Sequence, residues 1–390
     1  MKETKFKQTD IGLIPEDWVY LFFGDIGPVK MCKRVMKYQT SERGDIPFYK
    51  IGTFGKKPDA FISRELYKEL KENYSYPRKG DILISAAGTI GRTIRFDGKD
   101  AFFQDSNIVW LENNESLLSN SYLFYLYHVV EWKTENGGIV SRLYNDNFKV
   151  TPIAIPPTIE EQERIANALI QVDDLLAALD EQIEKKKLIK QGTMQQLLTG
   201  KIRLKESNDY KMTELGMIPS DWSVKNVGEL LKIGHGHDYK NLNSGNVPVY
   251  GTGGYMTSVN DFLYDGETVC IGRKGTINKP FYHTGKIWTV DTLFYTYGFN
   301  GCIPKFIYYA FCLVDWLAMN EASGVPSLTS QNIENVLLRI PSSEAEQAAI
   351  ASTLSTMDDE IQALQEERDK YALVKQGMMQ QLLTGKIRLN

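Results

Sequence analysis

The sequence predicts an α+β protein: two α/β domains with twisted β-sheets, joined by two long helices that pack as an antiparallel coiled coil with pseudo-two-fold, cyclic symmetry. Three observations carry that expectation. The chain repeats itself, each repeat closes on a heptad-patterned helix, and the stretch before each helix alternates strand-like runs with turns. IGLIPEDW at 11–18 returns as LGMIPSDW at 215–222, and KQGTMQQLLTGKIRL at 190–204 returns as KQGMMQQLLTGKIRL at 375–389. Between them, IPPTIEEQERIANALIQVDD at 155–174 matches IPSSEAEQAAIASTLSTMDD at 340–359. The offset is 204 at the opening motif and 185 at the closing ones, so the first insert is 19 residues longer than the second.

Each element has its own local reason. In the first insert GDILISAAG (80–88) and AFFQDSNIVWL (101–111) read as strands, and 121–131 as a short helix. In the second, ETVCIG (267–272) and KIWTVDTLFYTY (286–297) read as strands, and 304–320 as a helix. The aromatic residues of those two helices suit packing better than base stacking. IPFYKIGTFG (46–55) echoes VPVYGTGGYM (247–256), and GDILISAAGTIGR (80–92) echoes GETVCIGRKGTIN (266–278), so the inserts keep a distant kinship.

Residues 159–199 read as one helix, with Ile165, Leu169, Val172, Leu176, Leu179 and Ile183 stepping by alternating fours and threes. Ile350, Leu354, Met357, Ile361 and Leu364 repeat that seam over 344–384, before Arg368 interrupts it. Pro156, Pro157 and Pro341 stand just ahead of the helices, and Gly200 and Gly385 just past them, where a chain leaves a helix in a left-handed conformation. Gly192 and Gly377 lie inside the pattern, as expected where helices approach closely. At about 1.5 Å per residue each helix is a rod of roughly 60 Å, long enough to act as a ruler between two globular regions. A coiled coil that merely holds two domains together is the competing reading. The central LLTGKIRL runs on into LGMIPSDW, so the C-terminal copy is expected to lie near IGLIPEDW, with the two termini close in space.

Composition narrows the function classes. Lys plus Arg is 45 against 49 Asp plus Glu, a net charge of -4, which argues against a surface coated for non-specific nucleic-acid binding. The start carries no apolar signal core and no run of about 18 apolar residues occurs, so a cytoplasmic protein without membrane contact is expected. Cys32, Cys270, Cys302 and Cys312 show no CxxC spacing and read as reduced thiols. With His235, His237 and His283 a zinc site is imaginable, but the spacings match no structural zinc module.

Candidate binding residues come from loops that combine Gly with basic and polar side chains. They are Lys56 and Lys57, Arg92 in GTIGR, and Ser141 and Arg142 in the first insert. In the second they are His235, His237, Tyr239, Lys240, Arg273 and Lys274, with Ser327, Thr329 and Gln331. Arg and Lys bond guanine edges and phosphates, while Ser, Thr and Gln read adenine or hold phosphates. The first insert (1–155) holds 22 basic and 20 acidic residues and the second (206–340) holds 10 and 13, so any DNA contact of the second would be focal. A search for chemistry returns nothing: no phosphate loop, no GxGxxG and no NPP-aromatic tetrapeptide, and E-x-K at 184–186 sits on the heptad helix.

The chain resembles the DNA-specificity (S) subunit of type I restriction–modification systems along its whole length. The resemblance rests on IPxDW at 14–18 and 218–222, IP…EQxxI at 155–165 and 340–350, and QQLLTGKI at 195–202 and 380–387. It implies two target recognition domains, 1–155 and 206–340, each reading one half of a split target in double-stranded DNA. It implies spacer arms at 156–205 and 341–390 that dock two methyltransferase subunits, with motor–nuclease subunits completing the complex. S-adenosylmethionine, ATP and magnesium would sit on those partners, and this chain would be non-catalytic and carry no cofactor or metal. A non-DNA coiled-coil scaffold with two ligand-binding domains is the alternative, separable by salt-sensitive retention of duplex DNA.

Overall fold

The opening motif of each repeat is a β-hairpin. In the computed structural model, which describes residues 5–132, 142–204, 209–320 and 322–389, Phe6–Thr9 pairs antiparallel with Gly12–Pro15, and Tyr210–Thr213 with Gly216–Pro219. The chain divides into two compact units. Met1–Ala178 and Glu367–Asn390 form the first, and Leu179–Glu366 the second.

Within each unit the two ends of the insert are zipped together. Val19–Phe22 pairs antiparallel with Pro152–Ile155, and Trp222–Asn226 with Leu337–Pro341. In each unit the strand that runs on from IPxDW thus pairs with the strand that runs into the IP dipeptide before the helix. What lies between is a closed excursion. In unit 1 it holds an antiparallel sheet in the order Val29–Met31, Ile108–Leu111, Ile82–Ser85, Thr93–Arg95, and a second sheet of Phe61–Ile62, Ile46–Tyr49 and Phe102–Phe103. In unit 2 one six-stranded sheet runs Lys232–His235, Leu293–Tyr297, Tyr264–Gly272, Phe281–Thr289, Ser244–Gly251, Gly254–Val259. One parallel pairing occurs at the same place in both: Phe48 faces Phe102 and Val249 faces Trp288. The echo between 46–55 and 247–256 is therefore a shared topology.

Two strand expectations need correction. AFFQDSNIVWL is not one strand but two, Phe102–Phe103 and Ile108–Leu111, and KIWTVDTLFYTY is likewise split between Phe281–Thr289 and Leu293–Tyr297. Each run breaks at its aspartate, where the chain leaves one pairing for another and Ser106 takes φ 55. The insert helices are shorter than read from sequence: Asn120–Leu126, and Pro304–Leu313 followed by a 3-10 turn Trp316–Met319. Their aromatics pack, with Tyr122, Tyr125 and Tyr309 fully buried.

The long helices span Ile159–Leu198 and Glu344–Leu382. Each gives residues to both units. In unit 2, Lys186 Nζ lies 2.6 Å from Glu360 Oε2 and Lys190 pairs with Asp358, so the two helical stretches run antiparallel. In unit 1, Lys375 Nζ lies 2.6 Å from Asp173 and Arg388 reaches Glu161, in the same sense. Ile165, Leu169, Leu179, Ile183, Ile350, Leu354 and Ile361 are buried along the seam, and Val172, Leu176, Met357 and Leu364 are half-buried. Ile165 and Leu169 join Leu382 and Leu383 in the core of unit 1, while Ile350 and Leu354 join Leu197 and Leu198 in that of unit 2.

The repeated motifs meet in one ionic knot per unit. Arg388, from the second KIRL, donates to both oxygens of Asp17 (2.8 and 3.0 Å) and to Glu161, with its guanidinium carbon 6.0 Å from the Trp18 ring. Arg203, from the first, does the same to Asp221 (2.7 and 3.0 Å), Glu346 and Trp222. The glutamine beside each glutamate holds backbone. Gln162 accepts from Ser119 N and donates to Leu117 and Pro156 carbonyls, and Gln347 accepts from Ile303 N and donates to Gly301 and Pro341. Asp–Trp, Glu–Gln and Gly–Lys–Ile–Arg recur together because they touch. The contact of Arg388 with Asp17 also brings the C-terminal segment against the opening hairpin, in accord with cyclic closure.

Glycine is required at the knot. Gly385 has φ +70, and a Cβ there would lie 2.3 Å from Pro15 Cγ and 3.0 Å from Trp18. Left-handed backbone and overpacking together make Gly385→Ala cost about 2–5 kcal/mol. Gly192 corrects the sequence reading, since a Cβ at Gly192 or Gly377 would meet nothing within 4 Å. These glycines mark no close approach within either unit. Gly192→Ala is expected to stabilise by up to about 1 kcal/mol through helix propensity, and urea unfolding of both variants checks the opposite signs.

Candidate nucleic-acid interface

The candidate loops of unit 2 converge because of one topological break. Where Phe281–Thr289 gives way to Leu293–Tyr297, residues 290–292 turn outward beside the loop after Tyr264–Gly272. Arg273 N donates to Thr292 O at 2.8 Å and Leu328 N to Arg273 O at 2.8 Å, and Lys274 bridges Ser327. The result is a cleft of about 500 Å³ lined by His235, Arg273, Lys274, Thr292, Ser327 and Thr329. A neighbouring cleft of about 710 Å³ is lined by Tyr239, Lys240, the turn 251–256 and residues 290–292. Arg273 is exposed and donates through Nη1 to Asp291 O at 3.2 Å. His237 lies alongside, its carbonyl accepting from Trp288 Nε1. Gln331 instead bonds Asn335 along its own short helix.

Unit 1 has the same break at 104–107. Gln104 N donates to Tyr49 O at 2.9 Å, as Val290 N does to Tyr250 O at 3.0 Å, and Ala86 N donates to Asn107 O at 2.8 Å, as Arg273 N does to Thr292 O. The Gln104 side chain accepts from Ile51 N, which ties the loop carrying exposed Lys56 and Lys57 to this turn. Arg92 donates to Phe54 O at 3.1 Å on the same loop, and Arg142 donates to Asn107 Oδ1 at 3.0 Å. Arg34 Nε bonds Asp105 Oδ2 at 2.8 Å. Lys56, Lys57, Arg92 and Arg142 are thus linked through one turn, while Ser141 lies outside the described residues. Sequence reasoning missed Arg34, Asp105 and Asn107. The signal available was the aspartate interrupting both strand-like runs.

Each insert is anchored to the helices by a second repeated cluster. Tyr125 OH donates to Asp173 at 2.7 Å, and Lys375 pairs with the same carboxylate 5.6 Å from the Tyr125 ring. Tyr309 OH donates to Asp358 at 2.8 Å, and Lys190 pairs with it 5.5 Å from the Tyr309 ring. The frame residues are identical in the two units, and the loop residues at equivalent places are not.

A family model of the type I restriction modification DNA specificity domain matches residues 15–187 and again 219–370. The chain belongs to that family. A relative described as a type I restriction enzyme specificity subunit from Haemophilus influenzae is 58% identical over 158 residues, which is 40% of this chain and 41% of that protein. A relative described as the MjaX specificity subunit, from Methanocaldococcus jannaschii, is 27% identical over 430 aligned residues, covering 100% of this chain and 98% of its own. The crystal structure of a type I restriction–modification S subunit from M. genitalium shares the fold, with a TM-score of 0.62 at 16% identity over 97% of this chain and 98% of its own. The family assignment fits a chain whose repeated motifs are all frame.

The remaining candidates for chemistry are quiet. Burial pushes the thiols up, Cys32 to about 12 and Cys302 and Cys312 to about 11, far from a reactive thiolate. Among the described residues no three His, Cys, Asp or Glu side chains gather as a metal site, and no helix is long and apolar enough to cross a membrane.

Proposed function

We propose that this chain is the DNA-recognition subunit of a type I restriction–modification complex, in which 1–155 and 206–340 each read one half of a bipartite target. One observation supports this above others. The knot and anchor residues Asp17/Asp221, Trp18/Trp222, Glu161/Glu346, Arg388/Arg203, Tyr125/Tyr309 and Asp173/Asp358 repeat without change, whereas the turns at 104–107 and 290–292 share their aspartate and otherwise carry different side chains on the same backbone hydrogen bonds. Selection for one scaffold and two ligand surfaces produces that pattern. The arms 156–205 and 341–390 would set the unread spacer and dock two methyltransferase subunits, with motor–nuclease subunits joining for cleavage. S-adenosylmethionine, ATP and magnesium would belong to those partners. Basic side chains concentrated at two turns suit a subunit that shares DNA with larger partners.

The arms as spacers are tested by inserting four helical residues at 179–187, and by a matching insertion in the antiparallel stretch. Mapping methylated adenines in cells carrying the complex should then show a longer unread spacer and unchanged half-sites. Changed half-sites with an unchanged spacer would overturn the assignment.

A further inference from the structure

We propose that both half-sites are read at the same corner of the fold by an arginine that binds a guanine edge, Arg142 in unit 1 and Arg273 in unit 2, supplied from opposite sides of one β-bridge. This inference rests on the DNA reading above. The backbone hydrogen bonds place Ala86 and Ala87 where unit 2 has Arg273 and Lys274, since Leu143 N bonds Ala86 O as Leu328 N bonds Arg273 O. The isolated bridge Ala87 to Arg142 then corresponds to the bridge Lys274 to Ser327. Across that bridge the charge is exchanged. Unit 1 has two alanines, 1% and 6% exposed, facing an arginine, and unit 2 has Arg–Lys facing a serine.

An arginine at this corner thus recurs although its segment of origin does not. In each unit it is steadied by a single acceptor of the turn, Asn107 Oδ1 for Arg142 and Asp291 O for Arg273. Among the described residues neither forms an ion pair with a carboxylate, and the bond each makes is to a neutral oxygen. One bond orients a fork that has five donors, leaving enough for the O6 and N7 acceptors of guanine. Arg34, by contrast, is committed to Asp105 and positions the turn that Arg142 bonds. Lys274 and the loop lysines Lys56 and Lys57 have no such fork and suit phosphates.

The test uses the whole complex with its methyltransferase subunits. Methylated adenines are mapped for wild type, Arg273→Ala, Arg273→Lys and Arg142→Ala. Arg273→Ala should relax one guanine position of one half-site by roughly 5- to 150-fold in discrimination, and Arg142→Ala one position of the other half-site. Arg273→Lys keeps the charge and should relax the same position, with retention of non-specific duplex at a given salt unchanged. If Arg273→Lys restores the wild-type consensus, the residue is a phosphate contact and the proposal falls. It falls also if either alanine variant leaves the consensus intact, or if both relax the same half-site. Should a variant abolish methylation, competition binding decides: 7-deazaguanine at the relevant position must weaken wild type and leave the variant unaffected, and equal weakening of both refutes the proposal. A wild-type complex that shows no salt-sensitive binding and no bipartite methylation would instead refute the DNA reading itself.

Discussion

Arg203→Met is expected to destabilise unit 2 by about 3–5 kcal/mol. The Arg203 side chain is 3% exposed and that of Glu346 4%, so this pair is shielded from water, while Asp221 on the other side of the guanidinium is 39% exposed. The hydrogen bonds that Arg203 donates to Asp221 and then to Glu346 hold it above its ordinary pKa. Removing the arginine leaves the Glu346 carboxylate buried without a counter-charge, and that desolvation is the larger part of the loss. The same substitution at Arg388 should weaken unit 1 similarly, since its side chain is 12% exposed against 5% for Glu161. Pairing Arg203→Met with Glu346→Met removes the stranded charge and should recover more than half of the stability. Urea midpoints of the single and double variants measure this. A single-variant loss below about 1 kcal/mol, the range of surface pairs, would show that the knot is solvated in solution.

Exchanging 206–340 for the corresponding insert of another chain with the same frame should replace one half-site entirely and leave the other untouched. The physical basis is closure of the insert on itself: its ends pair from Trp222 opposite Pro341 to Asn226 opposite Leu337, so the excursion enters and leaves at one point. Besides Asp221 and Trp222 of the knot, the incoming insert must keep two contacts to the frame. One is a tyrosine in the place of Tyr309, to meet Asp358 and Lys190. The other is a backbone run able to receive Gln347, as Gly301 and Ile303 do. An insert lacking the tyrosine should dock loosely and methylate weakly, and restoring that one residue should rescue it. Methylated-adenine mapping reads the outcome, and a change in both half-sites would contradict modularity.

The long helices were legible because a heptad of apolar residues with prolines before and glycine after leaves a chain few alternatives. The frame motifs were legible as repeats, yet their purpose was not. Asp17, Glu161 and Arg388 are far apart in sequence and became one knot only when the hairpin, the helix start and the helix end were packed together. Among the loop candidates, Arg273 and Lys274 did reach a common cleft with Ser327 and Thr329. Arg34 escaped notice because a lone arginine after a short strand carries no local signal. Its role exists only through Asp105, 71 residues away.

What the sequence determined by itself was the duplication, the two helical arms and the family, since each is written in short-range periodicity or in motif identity. What only the tertiary structure decided was where the two variable surfaces lie. Strand runs that look continuous break at Asp105 and Asp291 because the chain there exchanges one sheet partner for another. That choice depends on pairings such as Tyr49 with Phe103 and Tyr250 with Thr289, which no local pattern encodes. The turn so formed collects arginines from whichever segment passes nearby, and so the two units present the same corner with differently sourced charge.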